Sequence, residues 1–180
     1  MGDLDPFHKN IGDMLAASQR CLQVRQHLPA LVLMYTLIDS LAWAASFGSK
    51  EGVRQRFESW ASTWLIPKLA PLAMSITATD LYGARCAVLH TLTGESDLSV
   101  SGHARKILYA WGTGKIEILD TAIRQSGKSE YVALHYDDLL TALLSAVELF
   151  LDRANNDPSL SSRLEQAAAQ HYMNINAGAN

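Results

Sequence analysis

The chain has 180 residues, 48% of them hydrophobic and 18% charged, with a formal net charge of −3. This is enough apolar material for one substantial core and too little positive charge to coat nucleic acid by bulk electrostatics, so any contact of that kind must be local. Cys21 and Cys86 are too few for a disulfide framework, and the start MGDLDPFHKN lacks the basic and apolar regions of a signal peptide, so the expectation is a single domain over 1–173 in a reducing cytoplasm, with 174–180 as a disordered tail.

In chain order, the first helix is expected to be capped by Asp5, with Pro6 in the first helical position, and to run to about His27. Phe7, Ile11, Met14, Leu15, Leu22 and Val24 form its apolar stripe, and Arg20 and His27 fall on its solvated side. Residues 29–47 are apolar almost all round, but Thr36, Asp39 and Ser40 point to the central helix of a bundle and away from a membrane span. An ionised carboxylate in such a helix is costly unless paired. Asp39 is therefore expected to neutralise a buried cation, with Arg85 an attractive partner.

The third helix, about 49–66, repeats Val53, Phe57, Trp60, Ala61 and Trp64 at spacings of three and four, the pattern of core aromatics. Pro67 and Pro71 break the chain, and the next helix begins near Ser75 or Thr77. Residues 106–111 and 131–136 read as short strands that can pair, with a helix over 115–125 between them closed by Ser126 and Gly127. Asp137 or Asp138 is expected to cap a long helix through about Arg153, and Asp157 with Pro158 to start a last one ending near Met173. The expected fold is mainly all-α, a single-domain bundle of about six or seven helices with a small two-stranded β element around 106–111 and 131–136.

The fourth helix carries the stretch TDLYGARCAVLHTLTGESD, residues 79–97, in which Arg85 precedes His90. Leu81, Ala84, Val88 and Leu89 are available for the core, and Gly83 allows a partner backbone to approach closely. Arg20 and His27 offer a similar spacing. Only His90 stands at a helix end, where Thr91, Thr93, Gly94 and Ser96 turn the chain into a loop that can present a side chain to a ligand. Tyr82, Ser96, Asp97 and His103 are near the motif in sequence. No glycine-rich phosphate loop and no Cys and His cluster with metal-ligand spacing occurs, so neither a cofactor nor a metal is expected.

A helix that carries an arginine, a small-residue and apolar stripe, and then a histidine just before a polar loop resembles the nuclease helix of the HEPN superfamily. The resemblance implies a metal-independent endoribonuclease acting on single-stranded RNA. In it Arg85 would hold the scissile phosphate and His90 would act on the 2′-hydroxyl or the leaving oxygen, leaving a 2′,3′-cyclic phosphate. It also implies a homodimer that converges two Arg–His pairs on one phosphate, in a toxin–antitoxin or phage-defence setting with an antitoxin or other protein partner. The residue chemistry agrees, since imidazole exchanges protons near neutral pH and a guanidinium stabilises charge on phosphate oxygens.

Five residues along a helix is an offset of about 140°, so Arg85 and His90 are not expected to share one narrow face, and a single copy makes a poor site. Asp39, Tyr82 and Cys86 are the expected supporting residues. Cys86 departs from the polar residue typical of the family after the arginine, and Leu92 stands where one subgroup has a nucleotide-accepting tyrosine, so that modification is not expected. The competing expectation is a non-catalytic HEPN-like protein that dimerises or binds a partner. There Arg85 only pairs with Asp39 and His90 caps a helix carboxyl end.

Overall fold

The computed structural model describes residues 5–71 and 75–170, and within them the chain is mainly α-helical with a small two-stranded sheet, as expected. Helix α1 is Asp5–Gln23, α2 is His27–Ala45, and α3, Val53–Trp60, runs through a π-helical turn, Ala61–Leu65, into α4, Ile66–Leu69. Then come α5 (Ala78–Thr91), the single turn α6 (Asp97–Val100), β1 (Lys106–Ala110), α7 (Ile116–Gln125), β2 (Tyr131–His135), α8 (Tyr136–Asn156) and α9 (Pro158–Ala168). The capping side chain of Asp5, the last helix beyond residue 170 and the tail 174–180 lie outside the described residues.

Helix α2 is the axis of the bundle. Leu31, Met34, Tyr35, Leu37, Ile38 and Leu41 are all buried, on more than one face, which is why its sequence lacks a polar stripe. It packs against α1, α3, α5, α8 and α9. By length and composition α2 could cross a membrane, and half of its span is buried inside the fold. Its carboxyl end is tied down by Arg163 of α9, whose Nε donates to the Ala45 carbonyl at 2.7 Å, a favourable place for a cation.

The tryptophans of the third helix are core residues. Trp60 and Trp64 meet Phe150 of α8 edge-on, with ring centroids 5.8 and 5.5 Å apart. Val53, placed in the same stripe by periodicity, is instead 47% exposed, at the first position of α3 after the extended Gly52.

The strands pair in parallel, Lys106 opposite Tyr131 and Ala110 opposite His135. Parallel strands need a crossover, and α7 supplies it while packing on β2. Strand β2 feeds directly into α8, so the cap is neither Asp137 nor Asp138. His135 takes that place, its Nδ1 accepting from the Asp137 backbone N–H at 3.2 Å. Asp157 caps α9 as expected, Oδ1 accepting from the amides of Ser159 and Leu160, both at 3.1 Å.

Candidate functional site

Helix α5 begins at Thr77, which forms a capping box with Asp80: the Thr77 hydroxyl accepts from the Asp80 amide, and the Asp80 carboxylate accepts from the Thr77 amide. Asp80 does more than cap. It is 3% exposed, and its carboxylate takes the Arg105 backbone amide at 2.7 Å and the Arg105 guanidinium at 2.6 Å. Arg105 also donates to the Ser75 carbonyl at 2.5 Å. Burial alone would raise the Asp80 carboxyl, but the hydrogen bonds from Arg105 and Thr77 outweigh it and hold the group below the ordinary carboxylate range. The start of the motif helix is thus clamped to Arg105, the residue that leads into β1.

Arg85 reaches from α5 across to α2. Its Nε donates to Asp39 Oδ2 at 2.6 Å and its Nη2 lies 2.5 Å from the same oxygen, so the pairing expected from a lone carboxylate in an apolar helix is realised. Burial pushes the Asp39 carboxyl up from its usual value, and Arg85, with His90 and Arg56 further off, offsets only part of this. For Arg85, burial opposes the charge, and the bond and charge of Asp39 more than restore it. The guanidinium also lies over the Tyr82 ring, 5.9 Å from its centroid. Burial and then Cys86 raise the Tyr82 hydroxyl above its usual value.

His90 is exposed in the last turn of α5. The expectation that Arg85 and His90 stand apart in one copy does not hold, since Arg85 Nη1 lies 2.9 Å from His90 Nε2. The angular offset describes Cα positions, and the long arginine side chain spans it. Guanidinium carries only donors, so Nε2 accepts and the ring proton sits on Nδ1. A carboxylate, a guanidinium and an imidazole therefore form one connected row, half-buried at Asp39 and Arg85 and open at His90. The helix then ends at Leu92 in the left-handed conformation, φ 54°, with its side chain 62% exposed.

Gly83 has a different role from the one expected. A Cβ there would meet the Ala104 Cβ at 2.8 Å, so its close approach is to the chain's own segment after α6. His103 is exposed and bonds Ser101, and Ser96 caps α6. Neither joins the row. Arg20 is exposed on α1, while His27 opens α2 and is not on a solvated face: it stacks on Tyr136, centroids 4.7 Å apart. Arg56 of α3, within electrostatic reach of Asp39, is the site residue that sequence reasoning missed. Its only signal was its place one residue before the buried Phe57. Among the described residues no group of three His, Cys, Asp or Glu side chains stands together.

Asp39→Ala leaves the guanidinium of Arg85 mostly buried without its anion. We expect a loss of about 3 kcal/mol in unfolding free energy by denaturant titration. An unchanged midpoint would mean that the pair does not hold α5 to α2. In comparisons with known proteins, the chain matches no family model, no curated protein and no solved structure.

Proposed function

We propose that the chain is an endoribonuclease of HEPN type that cleaves single-stranded RNA at the Arg85–His90 pair and needs no metal. The observation that carries this reading is the contact between Arg85 Nη1 and His90 Nε2 at the exposed end of α5. A phosphate bound at Arg85 would draw Nη1 away from the imidazole and free the Nε2 lone pair. His90 would then take the proton of the ribose 2′-hydroxyl as its oxygen attacks phosphorus, the bond to the 5′-oxygen breaks, and a 2′,3′-cyclic phosphate is left. Asp39 keeps Arg85 charged and aimed, and Arg56 adds positive potential nearby.

One copy brings one histidine to this reaction, and the leaving 5′-oxygen also needs a proton. That chemistry supports a homodimer in which a second His90 serves as the acid. The support expected from Gly83 is gone, because Ala104 of the same chain already fills its open side. Light scattering at micromolar concentration should give twice the chain mass, and a clean monomer would remove the two-histidine scheme. A toxin–antitoxin or phage-defence role, with an antitoxin as further partner, belongs to the same reading.

A second reading, a non-catalytic helical protein that dimerises or binds a partner, draws on the Arg85 side chain being 13% exposed and already paired with Asp39. Incubating the purified protein with a panel of single-stranded RNAs in excess EDTA separates the two. Cyclic-phosphate products support the nuclease, and intact RNA throughout supports the partner-binding protein.

A further inference from the structure

The end of α1 carries a residue that its backbone disfavours. The amide of Gln26 bonds the Cys21 carbonyl at 2.8 Å and that of Arg25 bonds the Leu22 carbonyl at 3.0 Å, the two bonds of a Schellman closure. Such a closure favours glycine at the left-handed position, and here Arg25 occupies it at φ 60°. A backbone conformation that works against its own residue points to a use for the side chain. The Arg25 guanidinium lies 5.4 Å from the centre of the Trp111 ring.

Trp111 is the outer end of a row of rings. Its indole is 57% exposed, and it meets His27 at 5.5 Å. His27 stacks on Tyr136 at 4.7 Å, and Tyr136 on Tyr109 at 5.1 Å. Tyr109 is in turn held by the hydroxyl of the fully buried Tyr35, 2.5 Å away. The row is thus anchored in the core at its base. It borders a cleft of about 500 Å³ whose lining includes Arg25, His27, Trp111, Gln19, Gln23 and Thr141, a size that suits a small ligand.

We propose that this cleft takes a nucleobase of a single RNA strand, an inference that rests on the RNA reading above. Trp111 would provide the stacking face, Arg25 a phosphate contact, and the amides of Gln19 and Gln23 the hydrogen bonds to the base edge. A π-face accepts any base, which suits a strand held without sequence readout. With a net charge of −3, the chain needs such local anchors to hold RNA at all. Leu22, Leu140, Leu144 and the carboxylate of Asp137 also border the cleft, and beside them the amide, hydroxyl and cationic groups with the aromatic rings match a base and its phosphate.

The test is fluorescence anisotropy with a short labelled 2′-O-methyl RNA, which binds but cannot be cut. Trp111→Ala and Arg25→Gly should each weaken binding about tenfold or more, and Trp111→Phe should recover most of it. Arg25→Gly should also keep or raise the thermal midpoint, because glycine suits that position, so a binding loss there cannot be blamed on unfolding. Unchanged affinity in both variants, in a protein that cleaves RNA, overturns the cleft and leaves the nuclease standing. Trp111-dependent binding by a protein that cuts nothing keeps the cleft and rejects the nuclease. AMP binding as tightly as the oligonucleotide would assign the cleft to a free nucleotide, and a change of oligomeric state in Trp111→Ala would assign it to a protein interface. Either outcome overturns the proposal.

Discussion

His90→Ala should lower the rate of single-stranded RNA cleavage at least about 100-fold, the usual contribution of a positioned general acid–base group. Arg85→Ala should do so too, because it removes the guanidinium opposite the developing phosphate charge. The two variants separate by stability. His90 is exposed, so its loss should leave the denaturation midpoint unchanged, whereas Arg85→Ala strands Asp39 in a largely buried position and should lower it. Excess EDTA should make no difference to the wild type. A 2′-deoxy substitution at the cleaved nucleotide should block cutting and permit binding, since it deletes the nucleophile and leaves the phosphate. Full activity in His90→Ala, or cleavage of the deoxy substrate, would reject the mechanism. Arg20→Ala, on the exposed face of α1, should have no effect on the rate.

The largest effect on stability is expected at the other end of the same helix. Asp80→Ala removes a 3% exposed carboxylate that accepts from Thr77 and Arg105, and should cost about 3–5 kcal/mol. Its pH dependence follows from the lowered value of the folded carboxyl. Where the folded value is depressed, the stabilisation is fully present above the unfolded value, about 3.9 for aspartate, and is lost as pH falls through the folded value. The gap in unfolding free energy between wild type and Asp80→Asn should therefore be widest near neutral pH and close in acid. A gap that stays constant through the acid range would show that the ionised carboxylate contributes nothing beyond its shape.

Much of this was legible in the residues, and what was not follows a pattern. Asp39 announced its partner because a charge in an all-round apolar helix has few ways to be satisfied, and Arg85 was the nearest candidate in kind. Asp157 with Pro158 marked a helix start through purely local chemistry, which needs no knowledge of the fold. The strand pair was legible from alternation and from the glycines around it. By contrast, no residue type or spacing pairs Asp80 with Arg105, since the fold that buries one against the other is set by contacts distant in sequence. Gly83 was seen to invite a close neighbour, but sequence cannot say that the neighbour is Ala104. The contact between Arg85 and His90 was missed for a different reason. Periodicity orders Cα positions and is blind to the reach of a long side chain. His135 displaced the expected Asp137 or Asp138 as a cap because β2 continues into α8 without a loop, a fact of register that no single residue reveals.

The two clamps on α5 have a consequence for synthesis. Arg85 waits for nothing downstream, since Asp39 lies 46 residues before it, but Asp80 must wait for Arg105, 25 residues later. A nascent chain whose emerged part stops short of Arg105 holds the motif helix by one end only, with a buried carboxylate still seeking its cation. The row that ends at His90 has all its members by residue 90, but the clamp at the start of its helix closes only once Arg105 has emerged. A prematurely terminated chain that stops before Arg105 would carry Arg85 and His90 and still lack the clamp that sets their helix in place.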